Sequence, residues 1–198
     1  MAYITLAQFK TFLGITSASD DGIIQICINS AQQTIDTFTA RTFEAAADTT
    51  RTFTPLREDF GGSIWWDGAT LGLDADLCQL TTITNGDGNL IPSGAVVLLP
   101  MNFTAKSAIK IKSNTQYVWT YTGSPDGAVS ITGRWAWSVT APADIVGAAY
   151  ELTKYFYQNR ESNPTSAQQL ISADGVPIAP DAIPKIIISL LKPYKRRS

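Results

Sequence analysis

Hydrophobic positions change rhythm along the chain, most sharply in "AVSITGRWAWSVTAPADIVGAAYELTKYFY", residues 128 to 157. In the first half Val129, Ile131, Gly133, Trp135 and Trp137 alternate with Ser130, Thr132, Arg134 and Ala136. Period two predicts a strand with one buried face. In the second half Ile145, Ala149, Leu152 and Phe156 recur every third or fourth residue, which predicts a helix. Pro142 stands at the join, tolerable in a helix's first turn because the N–H it lacks is unpaired there anyway.

Helical rhythm also opens the chain. "TLAQFKTFLG" (5–14) carries a capping-box pair, Thr5 and Gln8, and Gly14 is a natural stop. Leu6, Phe9, Phe12 and Leu13 form its apolar face. A longer helix is expected within 17–43, capped by Ser17, Ser19 or Asp20, with Ile24, Cys27, Ile28, Ala31, Ile35 and Phe38 as its stripe. Near the C-terminus, "DAIPKIIISLLKPYKRRS" reads as a helix that Asp181 can cap and Pro193 ends. Ile183, Ile186, Ile187, Leu190 and Leu191 are expected to pack one side.

Between residues 50 and 138 the texture is β. "TRTFTPL", "GSIWWD", "LTTITN", "AVVLLP", "SAIKIK", "YVWTY" and "AVSITGRWAW" predict strands. "NGDGN" (85–89) and "GSPDG" (123–127) are turn signals, because Asn-Gly and Asp-Gly supply the positive φ of tight turns. The expected fold class is α+β. A small helical bundle built from both chain ends (1–48 and 139–198) carries an inserted antiparallel β barrel or sandwich (49–138). Residues 160–198 are expected to form a C-terminal arm, whose 160–180 stretch is rich in Ser, Pro, Ala and Asp.

Composition narrows the chemistry. The chain has 198 residues, 44% hydrophobic and 16% charged, as globular proteins do. No apolar run is long enough to span a membrane, and the N-terminus shows no secretory pattern. Cys27 and Cys78 lie far apart, which suits buried free thiols in a reducing compartment. Histidine is absent, which excludes Ser-His-Asp and Cys-His triads and HExxH zinc sites. "GATLG" (68–72) is followed by no Gly-Lys-Ser/Thr, so it is no phosphate loop. Asp74 and Asp76 would share a strand face, but no ligand series accompanies them, and they read as solvated turn acids. No enzyme activity, cofactor or metal site is expected.

The charge is unevenly placed. Net charge is −2, and without Lys192, Lys195, Arg196 and Arg197 it would be 11 − 17 = −6. A basic end on an acidic chain suits docking on an acidic protein surface or touching DNA phosphates. Five tryptophans (Trp65, Trp66, Trp119, Trp135 and Trp137) all fall in β texture, as core or interface anchors. Trp65 and Trp66 would point to opposite faces of a strand, making one a candidate subunit contact. Ile171, Val176 and Ile178 give the 160–180 stretch something to bury against a neighbour. An alternative reading of the tryptophans is a carbohydrate-binding β module, with exposed rings stacking on sugars.

Four stretches resemble the head–tail connector, or head-completion adaptor, proteins of tailed double-stranded DNA phages. They are "YITLAQFKTFLGITSASDDGIIQICINSAQQTIDTFTARTF", "LDADLCQLTTITNGDGN", "ITGRWAWSVTAPADIVGAAYELTKYFY" and the ending "IISLLKPYKRRS". The long β insertion and the 160–180 segment depart from simpler, nearly all-helical members. The resemblance implies a virion protein assembled in the host cytoplasm and located at the head–tail interface. It implies a homo-oligomeric ring, commonly dodecameric, under the portal protein, which extends the DNA channel and receives tail or stopper proteins. It further implies that the C-terminal segment (Lys192, Tyr194, Lys195, Arg196 and Arg197) docks on the portal, with non-specific contact to DNA in the channel.

Overall fold

The computed structural model describes residues 3–159, 170–171, 177–178 and 183–196. The chain separates into two units, residues 41–141 and the described residues on either side of them.

The unit formed by the chain ends is helical. Helix α1 (Leu6–Leu13) starts at Thr5, whose hydroxyl accepts from the Gln8 amide while Gln8 reaches back to the Thr5 N–H. It ends at Gly14, left-handed at φ 70°, where any Cβ would be strained. Only Phe9 of this helix is fully buried. Its ring meets Tyr157 edge-on, with centroids 6.4 Å apart.

Helix α2 (Asp21–Thr39) runs 19 residues, about 28 Å at 1.5 Å each. Ile24, Cys27, Ile28, Ala31 and Ile35 are buried as its stripe predicts, and Phe38 is half-buried. Its start differs from expectation. Asp20 sits at the cap position but makes no capping hydrogen bond; its carboxylate accepts the Tyr157 hydroxyl instead. Ser17 and Ser19 bond to each other, and Asp21 pairs with Lys10 at 2.6 Å. Its end is also earlier than expected, because Ala40 turns left-handed at φ 53° and breaks the helix.

Helix α3 (Ala143–Gln158) follows directly on Pro142 and buries Ile145, Ala148, Ala149 and Leu152, with Phe156 half-buried. It packs against both α2 and a short last helix, α4 (Lys185–Leu191). Helix α4 buries Ile187 and Leu191, but Ile186 is 72% and Leu190 41% exposed, against the expectation that all its apolar residues pack inward. Two apolar sides on a seven-residue helix cannot both face one bundle. Asp181, the expected cap, lies outside the described residues; Pro184 holds the cap position.

The unit of residues 41–141 is built of two antiparallel three-stranded sheets. One has the order β1 (Thr49–Phe53), β6 (Val129–Arg134), β3 (Gln79–Thr84). The other has the order β2 (Thr70–Leu77), β5 (Lys106–Ile111), β4 (Val96–Leu99). They do not close into a barrel. The β2–β5 register breaks between Gly72 and Leu77, and the β3–β6 register shifts between Leu80 and Thr82. Phe53, Leu71, Leu77, Ile83, Ile109, Trp119 and Ile131 from both sheets and their loops share one core. Each large side chain contributes roughly 1.5–3 kcal/mol by burial. Gly133 in β6 is required by proximity: a Cβ there would stand 2.3 Å from the Gln79 carbonyl oxygen.

The β reading needs three corrections. "GSIWWD" is not a strand: Ile64 makes isolated bridges, and Trp65 to Gly68 form a turn closed by a 3.0 Å N–H···O bond. "YVWTY" holds one bridge, at Tyr121, and otherwise runs irregularly. Conversely, Asp74 and Asp76, expected in a turn, lie in strand β2. The two predicted turns form. Residues 85–89 return the chain so that Ile91 bonds Ile83 at 3.0 Å, and 123–127 has left-handed glycines at both ends.

Candidate docking surfaces

The basic C-terminal stretch is held against the helical unit. After α4 a 3-10 turn, Lys192–Tyr194, redirects the chain. The Tyr194 hydroxyl donates to Asp144 Oδ2 at 2.7 Å, at the first turn of α3. The Arg196 amide donates to the Thr39 carbonyl at 2.9 Å, pairing an acceptor that the last turn of α2 leaves unused. Lys195 Nζ lies 5.6 Å from the Phe38 ring centroid. Two cationic residues thus sit at the end of α2 where the helix dipole is negative. Hydrogen bonding to Asp144, then burial and the charge of that carboxylate, push the Tyr194 phenol above its ordinary value. Lys192 and Lys195 are exposed, Tyr194 and Arg196 partly buried, and Arg197 lies outside the described residues.

The five tryptophans divide by environment. Trp119 and Trp135 are buried, their indole N–H groups donating to Ala69 O (2.8 Å) and Thr49 O (2.9 Å). Trp135 also stacks on Phe53 at 5.8 Å. Trp137 lies between Phe43, 6.3 Å away, and the Arg41 guanidinium, 4.8 Å from its centroid. Trp65 is 37% exposed, its indole over Gly72, and Trp66 is 85% exposed. The adjacent pair does not lie on opposite faces of a strand: it sits in a turn that leaves both rings exposed, Trp66 the more so. Only the backbone of Ile171 and Ile178 is described, paired in a two-residue ladder between β7 (Leu170–Ile171) and β8 (Pro177–Ile178); Val176 lies outside the described residues.

The turn that carries Trp66 is fixed by Asp67, which sequence reasoning passed over. Its carboxylate accepts from the Ala69 and Thr70 amides (3.1 and 2.9 Å), the Thr70 hydroxyl (2.7 Å) and Lys110 Nζ (3.1 Å). Burial alone would raise its pKa, but these hydrogen bonds outweigh it and bring the carboxyl down to about 2. The signal was in the spacing Asp-Gly-Ala-Thr, an acid followed by amides within Asx-turn reach.

Asp74 and Asp76 are strand residues rather than turn acids, and only Asp74 is solvated. Asp76 is buried and pairs with Arg41 at 2.5 Å, while Asp74 pairs with Arg51 at 2.9 Å on the surface. Among the described residues, no cluster of three or more Cys, Asp or Glu is arranged to hold a metal ion.

Residues 3–59 match the family model described as phage gp6-like head-tail connector protein. The opening segment is thus similar in sequence to connector proteins. No curated protein matches the chain. The fold is similar to that of solved particle chains along nearly the whole length. A chain in the neck of the empty gene transfer agent (GTA) particle, computed with C6 symmetry, superposes with TM-score 0.59 at 14% identity, covering 99% of this chain and 91% of that one. A chain in the neck of the native GTA particle, computed with C12 symmetry, gives TM-score 0.56 at 15% identity, covering 98% and 88%. A chain of the native GTA virion gives 0.55 at 16%, covering 99% and 91%. At these identities the likeness is one of fold. Nothing in these relationships supports the carbohydrate-binding alternative.

Proposed function

We propose that the protein is a structural virion component, a head–tail adaptor. Copies of it form a ring, of twelve in this reading, beneath the portal. The ring extends the DNA channel and presents a docking site for tail or stopper proteins. The observation that carries this reading is the span of the likeness. The connector match covers residues 3–59, and the fold likeness to neck chains covers 98–99% of this chain, so the β unit is included with the helices. The matched family is named for a structural role, and the reading asks for no catalysis.

In this reading Lys192, Tyr194, Lys195, Arg196 and Arg197 face the portal. The contacts of residues 194–196 with α2 and α3 support it, because a surface already ordered loses less freedom on binding. A ring repeats the four basic charges in every copy, so weak contacts add as avidity. The same cations would account for non-specific contact with DNA in the channel. Trp65, Trp66 and the Ile171, Val176 and Ile178 stretch serve contacts between copies. The mature location is the head–tail interface of the virion, after assembly in the host cytoplasm.

The test is electron microscopy of the purified protein mixed with its cognate portal. A ring with a central hole stacked on the portal is the expected image. Portals that stay bare at saturating protein would overturn the reading.

A further inference from the structure

We infer that neighbouring copies in the ring join head to tail: the acidic, aromatic loop of residues 58–67 in one copy seats on the outer face of α4 in the next. This deepens the adaptor reading and rests on its ring. Two exposed apolar features on different units carry the inference. In the β unit, two consecutive tight turns present Phe60 (72% exposed) and Trp66 (85% exposed). Neither turn is slack. Gly62 packs so closely on the Leu56 backbone that a Cβ would overlap it, and Asp67 holds the second turn by its four hydrogen bonds. Large aromatics on rigid turns are the side chains that anchor interfaces. In the helical unit, α4 is apolar on both sides, and its outer side presents Ile186 and Leu190. A helix apolar all round is found where something covers it.

Charge selects the occupant. Glu58 and Asp59 stand beside Phe60, and Asp67 beside Trp66, against the cations Arg57 and Lys110, a local balance of 2 − 3 = −1. Helix α4 itself carries Lys185 and no acid, a balance of +1, and the cations Lys192, Lys195 and Arg196 that follow it are offset only in part by Asp144. The acidic loop would be repelled by a second acidic loop, and the cationic helix by a second cationic helix. Opposite signs around two apolar centres on one chain therefore favour a heterologous contact, in which each copy uses a different surface toward each neighbour. Such a contact propagates from copy to copy, and a ring results when the rotation closes.

Disulfide trapping in the full-length chain tests this. In a Cys78→Ser background, with Cys27 left buried, one variant carries Trp66→Cys and another Ile186→Cys. Both sites are exposed, so both variants should fold, which circular dichroism checks. Under a mild oxidant with the cognate portal present, the mixture should give a covalent dimer while either variant alone stays monomeric. A chain carrying both substitutions should give a ladder of oligomers. Glu58→Lys should suppress the mixed dimer, and Lys185→Glu in the partner variant should restore it. Self-dimers of either variant would show a contact using like surfaces, and absence of the mixed dimer would show another interface; each overturns the inference. Rings of the unsubstituted protein seen on portals with no mixed dimer would leave the adaptor reading intact and remove this one. Bare portals would remove both.

Discussion

Tyr194 and Asp144, fifty residues apart in sequence, are joined by a 2.7 Å hydrogen bond that fixes the basic C-terminal stretch to the start of α3. The bond needs the protonated phenol as donor and the carboxylate as acceptor. Its loss should free the stretch without unfolding the unit, since α4 keeps Ile187 and Leu191 buried. Tyr194→Phe is expected to lower stability by about 0.5–1.5 kcal/mol and to speed trypsin cleavage after Lys195. The pH dependence has a definite sign. A folded-state pKa raised above the ordinary 10.0 means that the phenol's contribution is complete below pH 10 and is lost as pH rises through the folded value. The ratio of the native to the Phe-variant cleavage rate should therefore climb above pH 10, since changes in the protease and in Lys195 act on both proteins alike. Equal alkaline responses would contradict the role given to this bond.

Arg41 and Asp76 form the most enclosed ion pair among the described residues, with side chains 16% and 6% exposed. Trp137 shields the guanidinium from one side. Removing one partner strands the other charge away from water, which typically costs 3–5 kcal/mol. Asp76→Ala should lower stability by about 3 kcal/mol, and Arg41→Met by a similar amount. The double variant Arg41→Met/Asp76→Leu should lose less than the sum, because no charge is left behind. Urea unfolding of the four proteins measures the coupling; strict additivity would show the pair to be solvated.

What the sequence disclosed follows from how local each signal is. The Thr5–Gln8 box and the Gly14 stop are written within ten residues, and α1 appears as read. The α2 stripe repeats over five turns and survives the misplacement of its end, because a left-handed alanine carries no local signature. Strand β2 was hidden by Asp74 and Asp76. Their acceptability in a strand depends on Arg51 and Arg41, residues on other segments that no spacing rule connects to them. The docking surfaces were half legible. The basic residues of 192–196 are visible as composition, whereas their attachment to α2 and α3 is tertiary. The outward face of α4 was misread for the same reason: periodicity shows which residues are apolar, not which side finds a neighbour.

Asp67 is the acid whose ionisation should matter at low pH. Two of its four hydrogen bonds, from the Thr70 hydroxyl and Lys110 to Oδ2, need the ionised carboxylate, and its pKa lies near 2 in the fold against an ordinary 3.8. A depressed folded value means that the contribution is present above pH 3.8 and is lost as pH falls through about 2. Asp67→Asn keeps shape but loses the charge, and should cost on the order of 1–3 kcal/mol at neutral pH. That deficit should narrow between pH 4 and pH 2, as the native carboxylate protonates and the variant has nothing to lose. Acid titration of both proteins followed by tryptophan fluorescence reads this directly, since Trp65 and Trp66 are in the same turn. A deficit that stays constant down to pH 2 would show that the carboxylate's charge does not hold the turn.

Ala40 is the one non-glycine residue with positive φ among the described residues, at 53°. A left-handed L-residue bears roughly 1–2 kcal/mol of strain, which glycine lacks. Glycine also gives the unfolded chain more freedom, which offsets part of that gain. Ala40→Gly should therefore be slightly stabilising, by about 0.5–1 kcal/mol, where glycine at most sites is harmful. Gly133→Ala is the opposite case, since its added Cβ meets a fixed carbonyl rather than open solvent. A thermal melt of Ala40→Gly should move up and one of Gly133→Ala should move down. A lower melting temperature for Ala40→Gly would show that the end of α2 depends on stiffness at this position more than on relief of its backbone strain.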